Sequence, residues 1–132
     1  MAKKKVYYDV TEENFEYYQG QIHRWLDFWA EKSWRVYFEH KQLKEALAAV
    51  NWDHSGKTLN VALSHKWSVQ PTNKLLSKCA FHEVVEIMLV TMSRWMSGNS
   101  YDIEEAVHTV VRRLENVIFE KEWTKNAGLA NE

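Results

Sequence analysis

The segment KCAFHEVVEIMLV, residues 78 to 90, sets His82, Glu83 and Glu86 inside an otherwise apolar run. A charge taken out of water without a partner is costly or is neutralised. These side chains therefore require a metal ion, a set of hydrogen bonds or an exposed edge. On a helix, His82 and Glu86 are four residues apart and share a face, with Cβ atoms about 5 to 6 Å apart. An imidazole nitrogen and a carboxylate oxygen at that spacing suit one zinc ion, with bonds of about 2.0 to 2.2 Å. Glu83 follows the first candidate ligand directly. It holds the place of the general base in the H-E-x-x-H pattern of zinc peptidases, which reads H-E-x-x-E here. An ordinary i, i+4 charged pair or a hydrogen-bonded histidine is the plainer alternative.

A catalytic zinc takes three protein groups and leaves one position for water. The third candidate is His108 in EEAVHTVVRRLEN, on the flank of an apolar stripe; Glu104 and Glu105, one turn earlier, compete for the same role. An antiparallel pairing of the last two helices through the SGNS connection, residues 97 to 100, would bring positions 82, 86 and 108 into one neighbourhood. A set of two imidazoles and one carboxylate also suits Mn2+ or Fe2+.

The elements that must position these groups follow from periodicity. Thr11 and the acids after it open a helix whose apolar residues recur at Phe15, Tyr18, Ile22, Trp25, Leu26 and Trp29. In SWRVYFEH, Trp34, Val36 and Phe38 alternate with Arg35, Tyr37 and Glu39, which predicts a strand over 34 to 40. Further strands are expected over 46 to 52 and 58 to 65, the latter with Leu59, Val61 and Leu63 on one face. The DHSG turn between them, with Gly56 free to take positive φ, predicts a hairpin. The alanines of KEALAAV pull the first of these two strands toward helix. After Pro71 a helix is expected from near Thr72 through the opening motif. A last helix follows, capped by Asp102 with Glu105 and carrying a stripe at Ile103, Val107, Val110, Leu114 and Ile118. The class is α+β: an N-terminal helix, a small three-stranded and mostly antiparallel sheet, then two helices. Residues 1 to 132 read as a single domain, with about five residues at the start and about nine at the end expected to fray.

Composition narrows the partners. A formal net charge of −1, with 27% charged residues, argues against nucleic acid, although MAKKK and the aromatics could stack bases. Seven tryptophans predict a core filled by large rings. The single Cys79 has no intramolecular partner, and it reads as a small core residue. No apolar stretch follows the basic start, so a reducing cytoplasm is expected. The run from 79 to 92 is too short and too interrupted to cross a bilayer. Of the other histidines, His23, His40, His54 and His65 lack a partner at ligand spacing; His65 is the candidate for a transition-state donor. Arg112 and Arg113 read as a solvated face or as partners for Glu104, Glu105 or Glu115.

The stretch from DFWAEKSWRVYFEHKQLKEALAAVNWDHSGKTLNVALSHKW through AFHEVVEIML to IEEAVHTVVRRLENVIF resembles a family of small bacteriophage-encoded proteins assigned as metallopeptidases, over roughly residues 25 to 120. That family is similar to minimal zincins, in which a motif helix packs under a small sheet whose edge strand can pair with a peptide. The resemblance implies His82 and Glu86 as ligands, Glu83 as general base and His108 as third ligand. It implies hydrolysis of a peptide bond in a peptide or protein substrate, in the infected host or during particle maturation. It equally admits a zincin-like scaffold that binds a protein partner through its exposed edge strand. The histidine at the third motif position of standard zincins is Glu86 here. A carboxylate there cancels more of the metal's charge, which makes bound water less acidic.

Overall fold

Thr11 starts the first helix by a reciprocal cap, its hydroxyl accepting from the Asn14 N–H at 3.1 Å while the Asn14 side chain accepts from the Thr11 N–H at 2.9 Å. This is the structure, a computed structural model, in which residues 6–29, 31, 33–44, 46–53, 55–93 and 100–125 are described. The first five residues, His54 of the turn, residues 97–99 of the SGNS connection and the tail from 126 lie outside the described residues. The chain runs β1 (Tyr8–Asp9), α1 (Glu12–Phe28), β2 (Arg35–His40), β3 (Ala48–Asp53), β4 (Thr58–Leu63), β5 (Lys66–Trp67), α2 (Asn73–Ser93), α3 (Ser100–Leu114), a π-helical segment (Glu115–Phe119) and α4 (Glu120–Lys125). It divides into two compact units, Met1–Ala80 and Phe81–Glu132.

The expected α+β order is the observed one, with the strands within a residue or two of their predicted bounds. In the first unit β4 is central, in the order β2-β4-β3. The predicted hairpin is present: β3 pairs antiparallel with β4, Val50 opposite Val61 and Trp52 opposite Leu59. The alanine-rich stretch is thus a strand from Ala48, because Val50 and Trp52 each find a cross-strand apolar partner that outweighs a weak helical propensity. β2 runs parallel to β4, Phe38 opposite Val61, while β1 and β5 form a separate antiparallel pair. Two of the three described strand pairings are therefore antiparallel.

The turn between β3 and β4 works differently from the expectation. The positive φ, 50°, falls on Lys57 rather than on Gly56. Gly56 serves close approach instead, since a Cβ there would stand 3.0 Å from Asp53 Oδ2. Asp53 Oδ1 accepts from the Ser55 N–H at 3.1 Å and its hydroxyl at 2.8 Å, an Asx-type turn that closes the hairpin.

Alternation decides the faces of the sheet. Leu59, Val61 and Leu63 are buried, as predicted, and Val36 and Phe38 are half-buried beside exposed Arg35, Tyr37 and Glu39. Helix α1 packs on β2: the His23 ring meets Phe38 edge-on at 5.5 Å, and Phe15 stacks on His40 at 4.8 Å. Its buried stripe of Tyr18, Ile22, Trp25 and Leu26 reaches the start of α2, where Trp25 Nε1 donates to Ser77 Oγ at 3.1 Å and Ser77 donates to Gln21 at 2.7 Å. Trp67 is also fully buried, its Nε1 donating to the Leu47 carbonyl at 3.1 Å. The ring-filled core is thus real for Trp25 and Trp67, whereas Trp52 is 39% exposed. Thr72 caps α2 by accepting from the Leu75 N–H at 3.2 Å.

In the second unit Phe81, Val84, Val85, Ile87, Val111 and Phe119 are buried, with Phe81 against Phe119 at 5.7 Å. Helix α3 begins at Ser100, so Asp102 lies inside the first turn, where its charge complements the helix dipole, and is not the cap. α4 continues through Lys125, two residues into the tail expected to fray. Among the described residues no helix is long and apolar enough to cross a membrane.

The two tryptophans separate core from surface. Trp67→Ala removes a fully buried ring with a satisfied N–H and is expected to lower the unfolding free energy by about 3 to 5 kcal/mol. Trp52→Ala, on a half-exposed ring, should cost about 1 kcal/mol or less. Urea denaturation of both variants checks this, and equal costs would remove Trp67 from its role in the core.

Candidate metal centre

Within the second unit the helical segments carrying the candidate residues run antiparallel. His82 meets Glu115 and Glu86 meets His108, so the contacts move backward along α3 and its π-helical extension as they move forward along α2. This is the expected pairing. His82 and Glu86 lie four residues apart and share a face of α2. His108 and Glu115 lie seven apart, about 10.5 Å along the axis and nearly in line, and share a face of the other segment.

The geometry converges on one oxygen. Glu86 Oε1 lies 3.3 Å from His82 Nε2 and 3.1 Å from His108 Nε2, and the three residues' ligand atoms are all within 4.8 Å of one another. The two rings stand 6.2 Å apart, tilted by 39°. Three donors bound tetrahedrally at about 2.0 to 2.2 Å would stand about 3.3 to 3.6 Å from each other. Two edges of the cluster are already near that value, so His82, Glu86 and His108 can hold a metal ion with small adjustments. Glu104 and Glu105 are exposed and do not join the cluster; the Glu105 carbonyl accepts from the Thr109 hydroxyl at 2.8 Å.

The apolar stripe of α3 is rotated from the one expected. Val110 is 39% exposed, whereas Val111 is fully buried, and 108, 111 and 115 fall on the inward side. Glu115 is the residue that sequence reasoning missed as part of the cluster. It is buried, and its Oε1 lies 3.3 Å from His82 Nδ1. The available signal was its position two turns after His108 and one turn from both Val111 and Phe119. Arg112 and Arg113, its neighbours, are exposed, as a solvated face would be.

These contacts push the titrating groups apart. The Glu115 hydrogen bond first, then the Glu86 hydrogen bond and the charges of Glu86 and Glu83, hold the His82 imidazolium against partial burial and raise its pKa from 6.5 to about 10. Burial, reinforced by the Glu86 charge and a hydrogen bond to Glu86, pushes Glu83 up from 4.5 to about 7, against the pull of His82. Burial acts on Glu86 as well, but hydrogen bonds and charges from His82 and His108 outweigh it and hold that carboxyl below the usual range. Glu83 is thus a carboxyl poised near neutrality beside the three-residue cluster, and it is not one of its three members.

The remaining described histidines are engaged in the first unit. His65 Nε2 donates to the His40 carbonyl at 2.7 Å and its ring meets the His40 ring edge-on at 4.4 Å, while His40 Nδ1 lies 3.2 Å from Glu12 Oε1. Cys79 is half-buried and forms no disulfide. No protein-family model matches the chain, and no curated protein or solved structure matches it.

The pKa shifts have a sign that stability can read. A group raised on folding stabilises fully below its unfolded pKa, and that contribution is lost as pH climbs through the folded value. For His82 the loss spans pH 6.5 to 10, and for Glu83 it spans 4.5 to 7. In chelator the Tm should therefore fall as pH is raised from 6.5 to 10, and His82→Gln should flatten that fall. Scanning calorimetry of both proteins across the window is the check. Equal falls would assign the alkaline loss to other groups.

Proposed function

We propose that this chain is a zinc-dependent peptidase of phage origin, with Glu83 as general base and His82, Glu86 and His108 as the metal ligands. The observation that carries the reading is the convergence of His82 Nε2 and His108 Nε2 on one Glu86 oxygen, at 3.3 and 3.1 Å, with Glu83 beside them. Two imidazoles and one glutamate are a donor set of catalytic zinc, and three protein groups leave a position open. Zinc bound there would lower the pKa of a coordinated water toward 7 and polarise a scissile carbonyl.

The protein's own groups would supply the rest. Glu83, raised to about 7 in the metal-free chain, would be the base that takes a proton from the attacking water and returns it to the leaving amine nitrogen. Its burial matters for that balance: a fully solvated carboxylate, with its ordinary lower pKa, would be a weaker base toward the water's proton. His82 must give up one proton for Nε2 to bind metal, which makes affinity fall in acid. Mn2+ and Fe2+ suit the same ligands.

A second reading has its own observation. Among the described residues β2 and β3 each pair only with β4, and Tyr37 on β2 is 57% exposed. A free strand edge beside an exposed aromatic can take an extended segment of a protein partner by β-addition. In that case the metal is structural, or none is bound.

Metal analysis and one pair of variants separate these readings. Protein purified without tag or chelator should hold close to one zinc per chain; less than about one-tenth, unchanged after zinc addition, would sink the metal centre. Glu83→Gln should keep the metal and lose about 10²- to 10⁴-fold in turnover of a mixed peptide library. His82→Ala should lose both metal and turnover. Cleavage by Glu83→Gln at the parent's rate would dismiss the general base, and zinc binding without any cleavage favours the partner-binding reading.

A further inference from the structure

Glu115 has no place in the motif, yet it is the buried acid that faces the far nitrogen of His82. Resting on the metal-centre reading above, we infer that Glu115 is a positioning residue that accepts from the His82 Nδ1–H and so fixes the imidazole with Nε2 aimed at the metal.

The geometry supports it from both ends of the ring. One nitrogen, Nε2, looks toward Glu86 Oε1 at 3.3 Å and the other, Nδ1, toward Glu115 Oε1 at 3.3 Å. A neutral imidazole carries one N–H, and a carboxylate can only accept. With Glu115 ionised, the proton therefore stays on Nδ1 and the Nε2 lone pair is left free for a cation. The opposite tautomer would aim a lone pair at the Glu115 carboxylate and an N–H at the metal position, and both contacts would be repulsive. A carboxylate behind a ligating histidine also raises the basicity of the coordinating nitrogen.

The backbone points the same way. Glu115 opens the π-helical segment Glu115–Phe119, whose wide turn is closed by the Glu120 N–H donating to the Glu115 carbonyl. Such turns are rare and are concentrated at functional positions. Here the turn lies between Glu115, held inward against His82, and Phe119, held inward against Phe81. Both residues are inward-facing although the spacing after Glu115 is no longer that of an α-helix. A carboxylate with only a packing role would have no reason to occupy that site, because an apolar side chain would avoid its desolvation.

The test uses the full chain and zinc itself. Zinc affinity is measured by competition with a chromophoric chelator for the parent, Glu115→Gln and Glu115→Ala, and long-range ¹H–¹⁵N spectra of the zinc-loaded proteins report which His82 nitrogen carries the proton. The parent should show Nδ1–H. Glu115→Ala should bind zinc about 10- to 100-fold more weakly. Glu115→Gln, whose amide oxygen still accepts but carries no charge, should fall between the two and keep the Nδ1–H signal. If Glu115→Ala does not fold, the Gln variant decides alone: weaker binding supports the role and parental affinity overturns it. Parental affinity and an unchanged His82 spectrum in both variants would likewise overturn it while leaving the metal centre intact. A parent that binds no zinc would overturn the metal centre and this inference with it.

Discussion

The second unit is organised around a single carboxylate oxygen. Glu86 Oε1 is approached by His82 from its own helix at 3.3 Å and by His108 from the antiparallel segment at 3.1 Å. Without those two imidazoles, the carboxylate would sit in the middle of an apolar helix with its desolvation uncompensated. Removing either partner would leave a half-satisfied polar group, the costliest arrangement in a partly buried site. The same oxygen sets the register of the two helical segments, since Glu86 must face His108 for both to be satisfied. Once that register holds, His82 falls opposite Glu115, and Phe81 reaches Phe119.

From this contact the electrostatic division of labour follows. Glu83 and Glu86 are three residues apart on one helix, yet their environments drive their pKa values in opposite directions: up for Glu83, down for Glu86. Both feel burial. Only Glu86 has two imidazoles bonded to it, while Glu83 faces the negative charge that those imidazoles have stabilised. Paired carboxyls driven apart in this way are the usual signature of distinct acid–base and ligating roles. Under the proposed reading, the carboxyl that stays ionised is the metal ligand and the one that titrates near neutrality is the proton carrier.

Local signals in the chain were legible, and what depended on distant neighbours was not. Thr11 and Thr72 cap the helices they were expected to open, and Leu59, Val61 and Leu63 face inward as their alternation requires. Alternation says which face a residue takes but nothing of which strand lies beside it, so the parallel pairing of β2 with β4 was invisible. The hairpin turn was read from its residue types, but the Asp53 side chain claims the space at Gly56, and the positive φ moves to Lys57. Val110 and Val111 are chemically identical neighbours. Only the packing of the second unit decides that Val111 faces in, and with it His108 and Glu115. The pair His82 and Glu86 was recognisable because four residues is one helical turn. Glu115 was not, because its partner lies 33 positions away in the chain and its own turn is π-helical.

A site assembled from hydrogen bonds differs in kind from one assembled by its metal. In a small structural zinc domain the ligands repel or scatter without the ion, and removing it unfolds the chain. Here His82 is held as an imidazolium by Glu115 and Glu86, so protons occupy the role of the cation in the metal-free chain and keep the donors gathered. Metal binding there would be an exchange of protons for an ion at a place where the donors are already gathered. The entropy of gathering three side chains is already spent on folding, while the affinity is reduced by the strength of the bonds that must be given up. Such a balance favours a centre that could load and unload an ion without unfolding the protein. A dication held by two neutral imidazoles and the Glu86 carboxylate would also face Glu115 across the His82 ring, so its two charges would be met by two acids.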